Sequence, residues 1–377
     1  MTSVLKGHVL GPQGFVAGAI EVDDTGRISN ISGTPVDEPS VRDSGQPILL
    51  PGFVDLHVHG GGGRDIMDGG DAASYVAQCH AAHGTTAFLA TTMTAPFTDL
   101  QTAFEGLRSA CATRDNGGAR LLGVHLEGPY INAGKLGAQP DFARPVSLEE
   151  LNFLHALAPI RLITLAPEVA NNMKDIEALV EAGFKVQLGH TLGSYEQAVE
   201  AMLLGASGFT HLFNAMTPLH HRQPGMVGAA LAHADYAEII PDLLHVHPGA
   251  LHVALRSIPH LYCVTDSTAA TGMPDGDYQL GRQKVTKCLG GVRLADGTLA
   301  GSTLTMDEAL RNLVDSLALS LSEASLRVST FAADHLGLGD RGRLSKGAWA
   351  DVVILDRNLK LQDVFVEGAA IDLAHAA

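Results

Sequence analysis

The chain has 377 residues, which suggests two or three domains, although a single α/β barrel commonly takes about 250 residues. Hydrophobic residues make up 46% and charged residues 18%, so a buried core is expected and wholesale disorder is not. The formal net charge of −16 argues against nonspecific binding to nucleic acid or to an anionic membrane. An anionic substrate would therefore need local positive charge.

The cysteines and the N-terminal segment predict a cytoplasmic protein. The four cysteines are widely spaced, with no C-x-x-C pair, as is typical of free thiols in a reducing compartment: Cys79, Cys111, Cys263 and Cys288. The opening MTSVLKGHVLGPQG lacks the apolar core of a signal peptide, and the sequence has no run of 18 apolar residues that would span a membrane.

The two ends of the chain carry similar strand-like pieces. The N-terminal part reads SVLKGHVL, GFVAGAIEV and GRISNI, separated by turn signals such as DDTG. Near the C-terminus, ADVVILD and LQDVFVEG alternate like strands. We predict that residues 1–50 and 342–377 pair into one small β-sandwich domain, which leaves 51–341 as the catalytic domain.

The middle of the chain alternates apolar strand-like runs with helix-like segments such as DAASYVAQCHAAHG and SYEQAVEAMLLG. Eight such units predict a (β/α)8 TIM-like barrel. The main alternative is a doubly wound open sheet, but HGGGG at 59–63 lacks the G-x-G-x-x-G spacing. The eight runs are 51–59, 85–93, 120–128, 161–167, 185–191, 208–216, 238–246 and 261–267.

Polar residues stand at the C-terminal ends of several of these runs, where the strands of a barrel meet at one mouth and build its active site. Imidazole and carboxylate groups suit zinc, iron or a similar divalent ion. His57 and His59 are two apart on a strand and point the same way, so they can chelate one ion. The candidate metal ligands are His57, His59, Glu127, His190, His211 and Asp266.

The remaining histidines are expected to have structural or surface roles, since a single histidine in a strand is more often hydrogen-bonded within the core. We expect His125 to pack beside Glu127 without binding metal. The others in this group are His8, His80, His83, His155, His233, His252, His260, His335 and His375.

At these positions the chain resembles the N-acetylglucosamine-6-phosphate deacetylase family of the amidohydrolase superfamily. The resemblance runs over nearly the full length and is most specific in HLEGP and THLFNAM. The motifs fit in order: PGFVDLHVHGGGG, HLEGPYIN, GHT, THLFNAMTPLHHRQPG, VTDSTAATG, GTLAGSTLTM and SKGAWADVVILD.

The resemblance implies a role for each matching position. Glu127, His190 and His211 match the ligands of a metal that family members share, whereas His57 and His59 match a second site that only some members keep. Asp266 matches the catalytic acid and base. The matching substrate-binding positions are Ala138, Gln139, Asn214, Ala215, Arg222, His245, Leu299, Ala300 and Gly301, with Arg222 near the phosphate in its own or a partner subunit.

Two positions depart from the family pattern. Gln139 stands where some members have a histidine that polarises the acetyl carbonyl; its amide donates a hydrogen bond but is never cationic. Leu243 stands where the family usually has glycine after aspartate. We expect Leu243 to lack the backbone freedom of glycine, so the loop that carries His245 should differ.

The residues predict hydrolysis of an amide by metal-activated water, with one or two divalent ions per subunit, zinc first and iron or another ion as alternatives. Asp266 would move the proton from water to the sugar nitrogen, and Gln139 would stabilise the oxyanion. Arg222 would bind the phosphate, helped by backbone N–H groups at Asn214 and Ala215. Only the resemblance suggests a homodimer.

Two other classes of protein stay open. One is a deacetylase of N-acetylgalactosamine 6-phosphate, a D-amino-acid deacylase or a cyclic amidase; run four, RLITLAP, offers no lysine for the carboxylated-lysine site of the last. The other is a non-catalytic scaffold with the same fold, which would be expected to lack metal ligands.

Overall fold

The computed structural model describes residues 3–115 and 117–373. The first two and the last four residues of the predicted β-sandwich segment, His375 among them, therefore lie outside the described residues. Its helices are α1 Glu38–Asp43, α2 Ala72–Ala81, α3 Phe97–Ala112, α4 Leu148–Leu157, α5 Asn172–Glu181, α6 Tyr195–Leu203, α7 Gly225–His233, α8 Pro248–Ser257, α9 Met306–Arg311, α10 Leu321–Ser325 and α11 Phe331–His335. Short 3₁₀ segments lie at Ile66–Asp68 and Ala133–Lys135, and π-helical turns at Asn312–Ser316 and Leu326–Thr330.

The strands are β1 Ser3–Gly11, β2 Gly14–Val22, β3 Ile28–Pro35, β4 Ile48–Pro51, β5 Phe53–Val58, β6 Gly60–Gly61, β7 Arg64–Asp65, β8 Thr85–Thr92, β9 Arg120–Glu127, β10 Ile160–Leu165, β11 Lys185–Leu188, β12 Gly208–Phe209, β13 Tyr236–Ile239, β14 His260–Cys263, β15 Gly276–Leu280, β16 Gln283–Cys288, β17 Gly291–Arg293, β18 Val352–Leu355, β19 Leu361–Val366 and β20 Ala369–Ala370.

Eight parallel strands form a curled barrel, as predicted. Six of them are hydrogen-bonded in the order β5, β8, β9, β10, β11, β12, and β13 pairs with β14. The Leu212 N–H donates to the Glu238 carbonyl at 2.9 Å and links the end of β12 to β13. The Asp266 N–H donates to the His57 carbonyl at 2.9 Å, which joins the segment after β14 to β5. The alternative of an open doubly wound sheet is therefore wrong.

Burial and helix caps explain why these segments adopt their structures. All eight residues of β8 are buried, as expected for a strand covered on both faces. Helix α6 begins after Ser194, which forms a capping box with Gln197, and helix α4 begins after Ser147, whose hydroxyl accepts from the Glu150 N–H. The predicted helical segments between the strands are thus confirmed.

The chain ends form a separate, mostly antiparallel sheet, as predicted. Its seven strands run in the order β20-β19-β18-β4-β1-β2-β3. It encloses its own apolar cluster, with Val9, Ile20 and Val352 fully or almost fully buried. The boundaries at residues 50 and 342 remain a prediction. Among the described residues, no helix combines the length and apolar character needed to cross a bilayer.

Candidate active site and metal centre

The six candidate ligands come together at the C-terminal mouth of the barrel. Each lies in or shortly after a barrel strand, and none exposes more than 8% of its surface. Three of them, His190, His211 and Asp266, have positive φ angles of 48°, 29° and 49°. Non-glycine residues adopt this strained conformation only where the surrounding fold holds them in it, and such residues cluster at functional sites.

Glu127, at the end of β9, lies at the centre of the cluster. Its Oε1 is 3.1 Å from His190 Nε2 and 3.0 Å from His211 Nε2. The two imidazole nitrogens are themselves 3.0 Å apart. Three ligand atoms this close suit a single ion, since zinc bonds to nitrogen and oxygen are about 2.0–2.2 Å long.

The other oxygen of Glu127 faces the histidine pair from β5. Glu127 Oε2 is 3.1 Å from His59 Nε2 and 3.5 Å from His57 Nε2. Asp266 Oδ1 lies 3.3 Å and 3.4 Å from the same two nitrogens. Glu127 therefore belongs to both groups of candidate ligands, with one oxygen facing each, and would contribute to holding an ion at either.

The other ring nitrogens of three histidines are held by buried hydrogen bonds. His57 Nδ1 donates to the Glu238 carboxylate at 2.9 Å. His59 Nδ1 donates to the Thr91 carbonyl at 3.1 Å, and His190 Nδ1 donates to the Lys135 carbonyl at 2.8 Å. Such outer partners fix the tautomer and leave Nε2 free for a metal.

The pKa values of Asp266 and His59 are shifted in opposite directions by their proximity. Burial raises the pKa of Asp266, but the charge of His57 and the hydrogen bond with His59 outweigh it and lower the pKa to about 2. Burial lowers the pKa of His59, but hydrogen bonds with Asp266 and Glu127 raise it to about 9. The His59 imidazole therefore keeps a proton at neutral pH, and a divalent ion would have to displace it.

A cavity of about 420 Å³ opens directly on this cluster. Most of the predicted substrate positions line it, and Ala300 does not: this residue is fully buried against an apolar cluster with Met93 and Leu280. The predicted positions that line the cavity are Ala138, Gln139, Asn214, Ala215, His245, Leu299 and Gly301.

Arg222 does not line this cavity. It is exposed, its guanidinium contacts His221 Nε2 at 2.8 Å, and it borders a separate surface groove with Tyr195 and Gln223. The Asn214 N–H, predicted to contact the anion, instead donates to the His211 carbonyl at 3.0 Å. Within a single chain, the Arg222 guanidinium therefore lies outside the cavity, and the Asn214 N–H is already used in a hydrogen bond.

The expectation that Leu243 lacks the backbone freedom of glycine was wrong, whereas the expected difference of its loop from the family pattern stays a prediction. Leu243 adopts φ of +63°, the left-handed conformation in which glycine is favoured. The loop is held by Asp242, whose carboxylate accepts from the Leu244 and His245 N–H groups at 2.9 and 2.8 Å. Asp242 also accepts from His245 Nδ1 at 2.6 Å, which fixes the His245 ring at the cavity wall. These hydrogen bonds compensate for the strain of a left-handed leucine.

Gln139 is buried beside the cluster. Its Nε2 donates to Glu127 Oε2 at 2.6 Å, and its Oε1 accepts from the Thr94 N–H at 2.6 Å. This second bond fixes the amide orientation, so the nitrogen faces the metal-type ligands.

His125 has both ring nitrogens in hydrogen bonds, to the Leu56 carbonyl and the Thr164 hydroxyl. None of the histidines assigned structural or surface roles lines the cavity, within the part of the chain that the structure describes.

Three residues near the site were not predicted. Glu238 is completely buried, and its carboxylate accepts a hydrogen bond from His57. The sequence feature that could have indicated this role is a charged residue in the apolar run EIIP. Lys135 is a cation on the cavity wall. Glu168 accepts three hydrogen bonds from the loops after β9 and β11, which no local pattern indicates.

The fold and the site agree with comparisons to known proteins. The model of the amidohydrolase family matches residues 48–371. The chain therefore belongs to the amidohydrolase family.

Its similarities are more specific than that. It is 40% identical over 330 residues to the N-acetylglucosamine-6-phosphate deacetylase of Lysinibacillus sphaericus, covering 85% of this chain and 84% of the relative. It is 38% identical to the N-acetylgalactosamine-6-phosphate deacetylase of Escherichia coli O157:H7, covering 91% and 92%. A mutant N-acetyl-D-glucosamine-6-phosphate deacetylase from Mycobacterium smegmatis, solved in complex with N-acetyl-D-glucosamine-6-phosphate, matches with a TM-score of 0.89 and 31% identity over 98% of this chain and 100% of that one. Within the superfamily, the chain falls in the N-acetylglucosamine-6-phosphate deacetylase family.

Proposed function

We propose that this protein hydrolyses N-acetylglucosamine 6-phosphate to glucosamine 6-phosphate and acetate. The observation that carries the proposal is the convergence of four metal-type ligands and Asp266 on one cavity, with His57 grouped behind them: His59, Glu127, His190 and His211 line the cavity with Asp266. The activity of the relatives supplies the substrate class.

We propose zinc as the metal, at one or two sites per subunit. Glu127, His190 and His211 would hold one ion, and His57, His59 and Glu127 a second; each group brings its ligand atoms within 4.8 Å of one another. Imidazole and carboxylate donors with buried outer partners fit zinc, and iron is the nearest alternative. Such an ion acidifies a water molecule and polarises a carbonyl group.

Asp266 is the proposed proton carrier. It lines the cavity, and its low pKa keeps it ionised at neutral pH, so it accepts a proton from the attacking water. The water oxygen bonds to the acetyl carbon. Asp266 then donates the proton to the sugar nitrogen as the carbon–nitrogen bond breaks, which gives acetate and a free amine.

Gln139 is the proposed oxyanion donor. Its amide nitrogen carries two hydrogens, one of which is used by Glu127. The second remains for the acetyl oxygen, where a fixed donor in a buried site stabilises developing negative charge.

For the phosphate we propose that Arg222 acts from a partner subunit, in a homodimer. Arg222 is exposed and lies outside the cavity of its own chain, whereas His245 and Lys135 line it. Burial lowers the pKa of His245, but its hydrogen bond with Asp242 raises it overall, which favours a cationic ring. Arginine suits a phosphate because it donates two parallel hydrogen bonds.

Mixing two impaired variants tests this arrangement at a substrate concentration well below the KM of Arg222→Ala. Arg222→Ala should raise KM for the phosphorylated sugar far more than for unphosphorylated N-acetylglucosamine. Co-refolding Arg222→Ala with Asp266→Asn should restore acetate release, because the mixed dimer holds one site with both residues intact. Absence of any rescue in verified mixed dimers would show that Arg222 acts within its own chain or not at all.

The sugar itself is tested by comparing two epimers. N-acetylgalactosamine 6-phosphate is the second candidate, because a deacetylase of that sugar is 38% identical to this chain. We expect the larger kcat/KM with the glucosamine epimer; a larger value with the galactosamine epimer would exchange the two assignments.

We also propose a cytoplasmic location, which is supported by four free cysteines.

A further inference from the structure

A second cavity of about 180 Å³ lies beside the active-site cavity, and one side chain lines both. Met93, the residue after β8, borders the active-site cavity together with Glu127 and Asp266. It also borders the second cavity, together with Met67 and Ala95. The two spaces are thus neighbours separated at Met93.

The wall between the cavities is closely packed. Met93 is only 2% exposed and belongs to an apolar cluster with Leu280 and Ala300. Leu280 borders the first cavity, and the next residue, Gly281, borders the second. A Cβ atom added to Gly281 would lie 3.3 Å from both Cβ and Cγ of Met93, so the methionine lies against this backbone without a gap.

Met93 also lies between two residues that hold side chains of the candidate site. Two residues before it, the Thr91 carbonyl accepts from His59 Nδ1 at 3.1 Å. One residue after it, the Thr94 N–H donates to Gln139 Oε1 at 2.6 Å. The end of β8 therefore holds both a candidate metal ligand and the proposed oxyanion donor, with Met93 between them.

We propose that Met93 limits the length of the acyl group that this enzyme removes. The proposal rests on the proposed deacetylation. The methyl of an acetyl group would meet the Met93 side chain, and a longer acyl chain would have to pass through it into the second cavity. The lining of that cavity is partly apolar, at Met67 and Ala95, and partly polar, at Asp99 and Arg282. Its volume of about 180 Å³ has room for a short alkyl chain, since a cavity of about 150 Å³ accommodates a benzene molecule.

The test is acyl preference in Met93→Ala. The kcat/KM values are measured for the N-acetyl, N-propionyl and N-butyryl forms of glucosamine 6-phosphate. We expect Met93→Ala to raise the butyryl-to-acetyl ratio at least about tenfold, the lower end of the discrimination that one methylene confers in an apolar pocket. Because both values come from one preparation, the ratio is insensitive to partial misfolding.

Two variants serve as controls. Met93→Leu keeps a side chain of similar volume in the wall, so its ratio should stay near that of the native protein. Thr102→Ala removes side-chain atoms from the second cavity on its α3 side, where the Thr102 hydroxyl donates to the Thr98 carbonyl, and leaves Met93 in place, so its ratio should also be native.

An unchanged ratio in Met93→Ala, or an equal rise in Thr102→Ala, would overturn the assignment of Met93 while acetate release by the native protein still supported deacetylation. If the native protein releases no acyl group from any of the three sugars, deacetylation itself is contradicted, and the role of Met93 with it.

Discussion

Asp266 lies at the cavity, close to two candidate metal ligands, and its backbone is held in place. Its carboxylate oxygen lies 3.3 Å from His59 Nε2 and 3.4 Å from His57 Nε2, and the residue lines the cavity. Its backbone is fixed on both sides, by a hydrogen bond from its N–H to the His57 carbonyl and by one from the Ser302 N–H to its carbonyl. The positive φ of 49° is tolerated because aspartate enters this region more readily than most residues.

Asp266→Asn is expected to abolish deacetylation while metal binding persists. The amide cannot accept a proton, so kcat should fall by about 10²–10⁴-fold, the usual contribution of a general acid–base group. Glu127, His190 and His211 remain to hold an ion. Acetate release and metal content are measured on the same preparation; a variant that keeps most of its turnover would refute the role.

At the residue scale, the sequence predicted which candidate ligands come together, but not the residues that hold them in place. His57, His59, Glu127 and the others were recognised because they end apolar runs, and strand ends converge in a barrel. Glu238 holds His57 across the barrel, 181 positions away in the sequence, and only the folded chain reveals that pairing. Arg222 was recognised by type, but nothing in its neighbourhood predicted that it faces away from its own cavity.

At the scale of elements, three barrel loops are joined by one carboxylate. Glu168, after β10, accepts from Asn132 Nδ2 at 2.8 Å and from the Leu192 N–H and Thr191 hydroxyl at 2.6 Å each. Asn132 begins the segment whose Lys135 carbonyl accepts from His190 Nδ1. The loops that carry Gln139 and His190 are therefore aligned by Glu168.

Glu168→Ala is expected to weaken metal binding by about 10–100-fold, as loss of outer partners of metal ligands typically does. The control is Glu196→Ala, because the exposed Glu196 side chain accepts from the nearby Ser194 hydroxyl at the start of helix α6. Metal affinity is measured by competition with a chelator. Native affinity in a folded Glu168→Ala protein would show that the loops are aligned without this carboxylate.

The lengths of the elements could be predicted less well than their existence. The predicted run at 208–216 is a strand only over Gly208–Phe209, and the run at 238–246 overlaps the strand Tyr236–Ile239 only in its first two residues. The remainder of each run leaves the strand conformation because His211, Phe213 and Leu243 take positive φ angles. Apolar patterning does not encode such turns, since the hydrogen bonds that hold them come from distant residues.

At the scale of the whole molecule, Glu367 links the terminal sheet to the barrel. It follows β19 and accepts two hydrogen bonds from Arg120, at the start of β9, both at 2.8 Å. It also contacts Arg341, whose guanidinium donates to Asp351 at 2.6 Å. Burial raises the pKa of Glu367, but hydrogen bonds from Arg120 and Arg341 outweigh it and hold the pKa at about 2.

Glu367→Gln should lower the free energy of unfolding by about 2 kcal/mol at neutral pH, because hydrogen bonds to charged groups contribute about 1.5–3 kcal/mol. The native pKa is below the ordinary value of 4.5, so this stabilisation is fully present above 4.5 and is lost as the pH falls toward about 2. Denaturant unfolding at neutral and acidic pH measures it, with the exposed Asp363→Asn as control. A difference that grows on acidification would contradict this account.

The central claim is metal-dependent deacetylation, and titration of metal into stripped protein tests it most directly. Protein freed of metal by a chelator is supplied with increasing zinc, and bound metal and acetate release from N-acetylglucosamine 6-phosphate are measured at each point. The site predicts no acetate release without metal and recovery in proportion to ions bound at the Glu127, His190 and His211 group. Undiminished acetate release from metal-free protein, or none from fully loaded protein, would contradict the account.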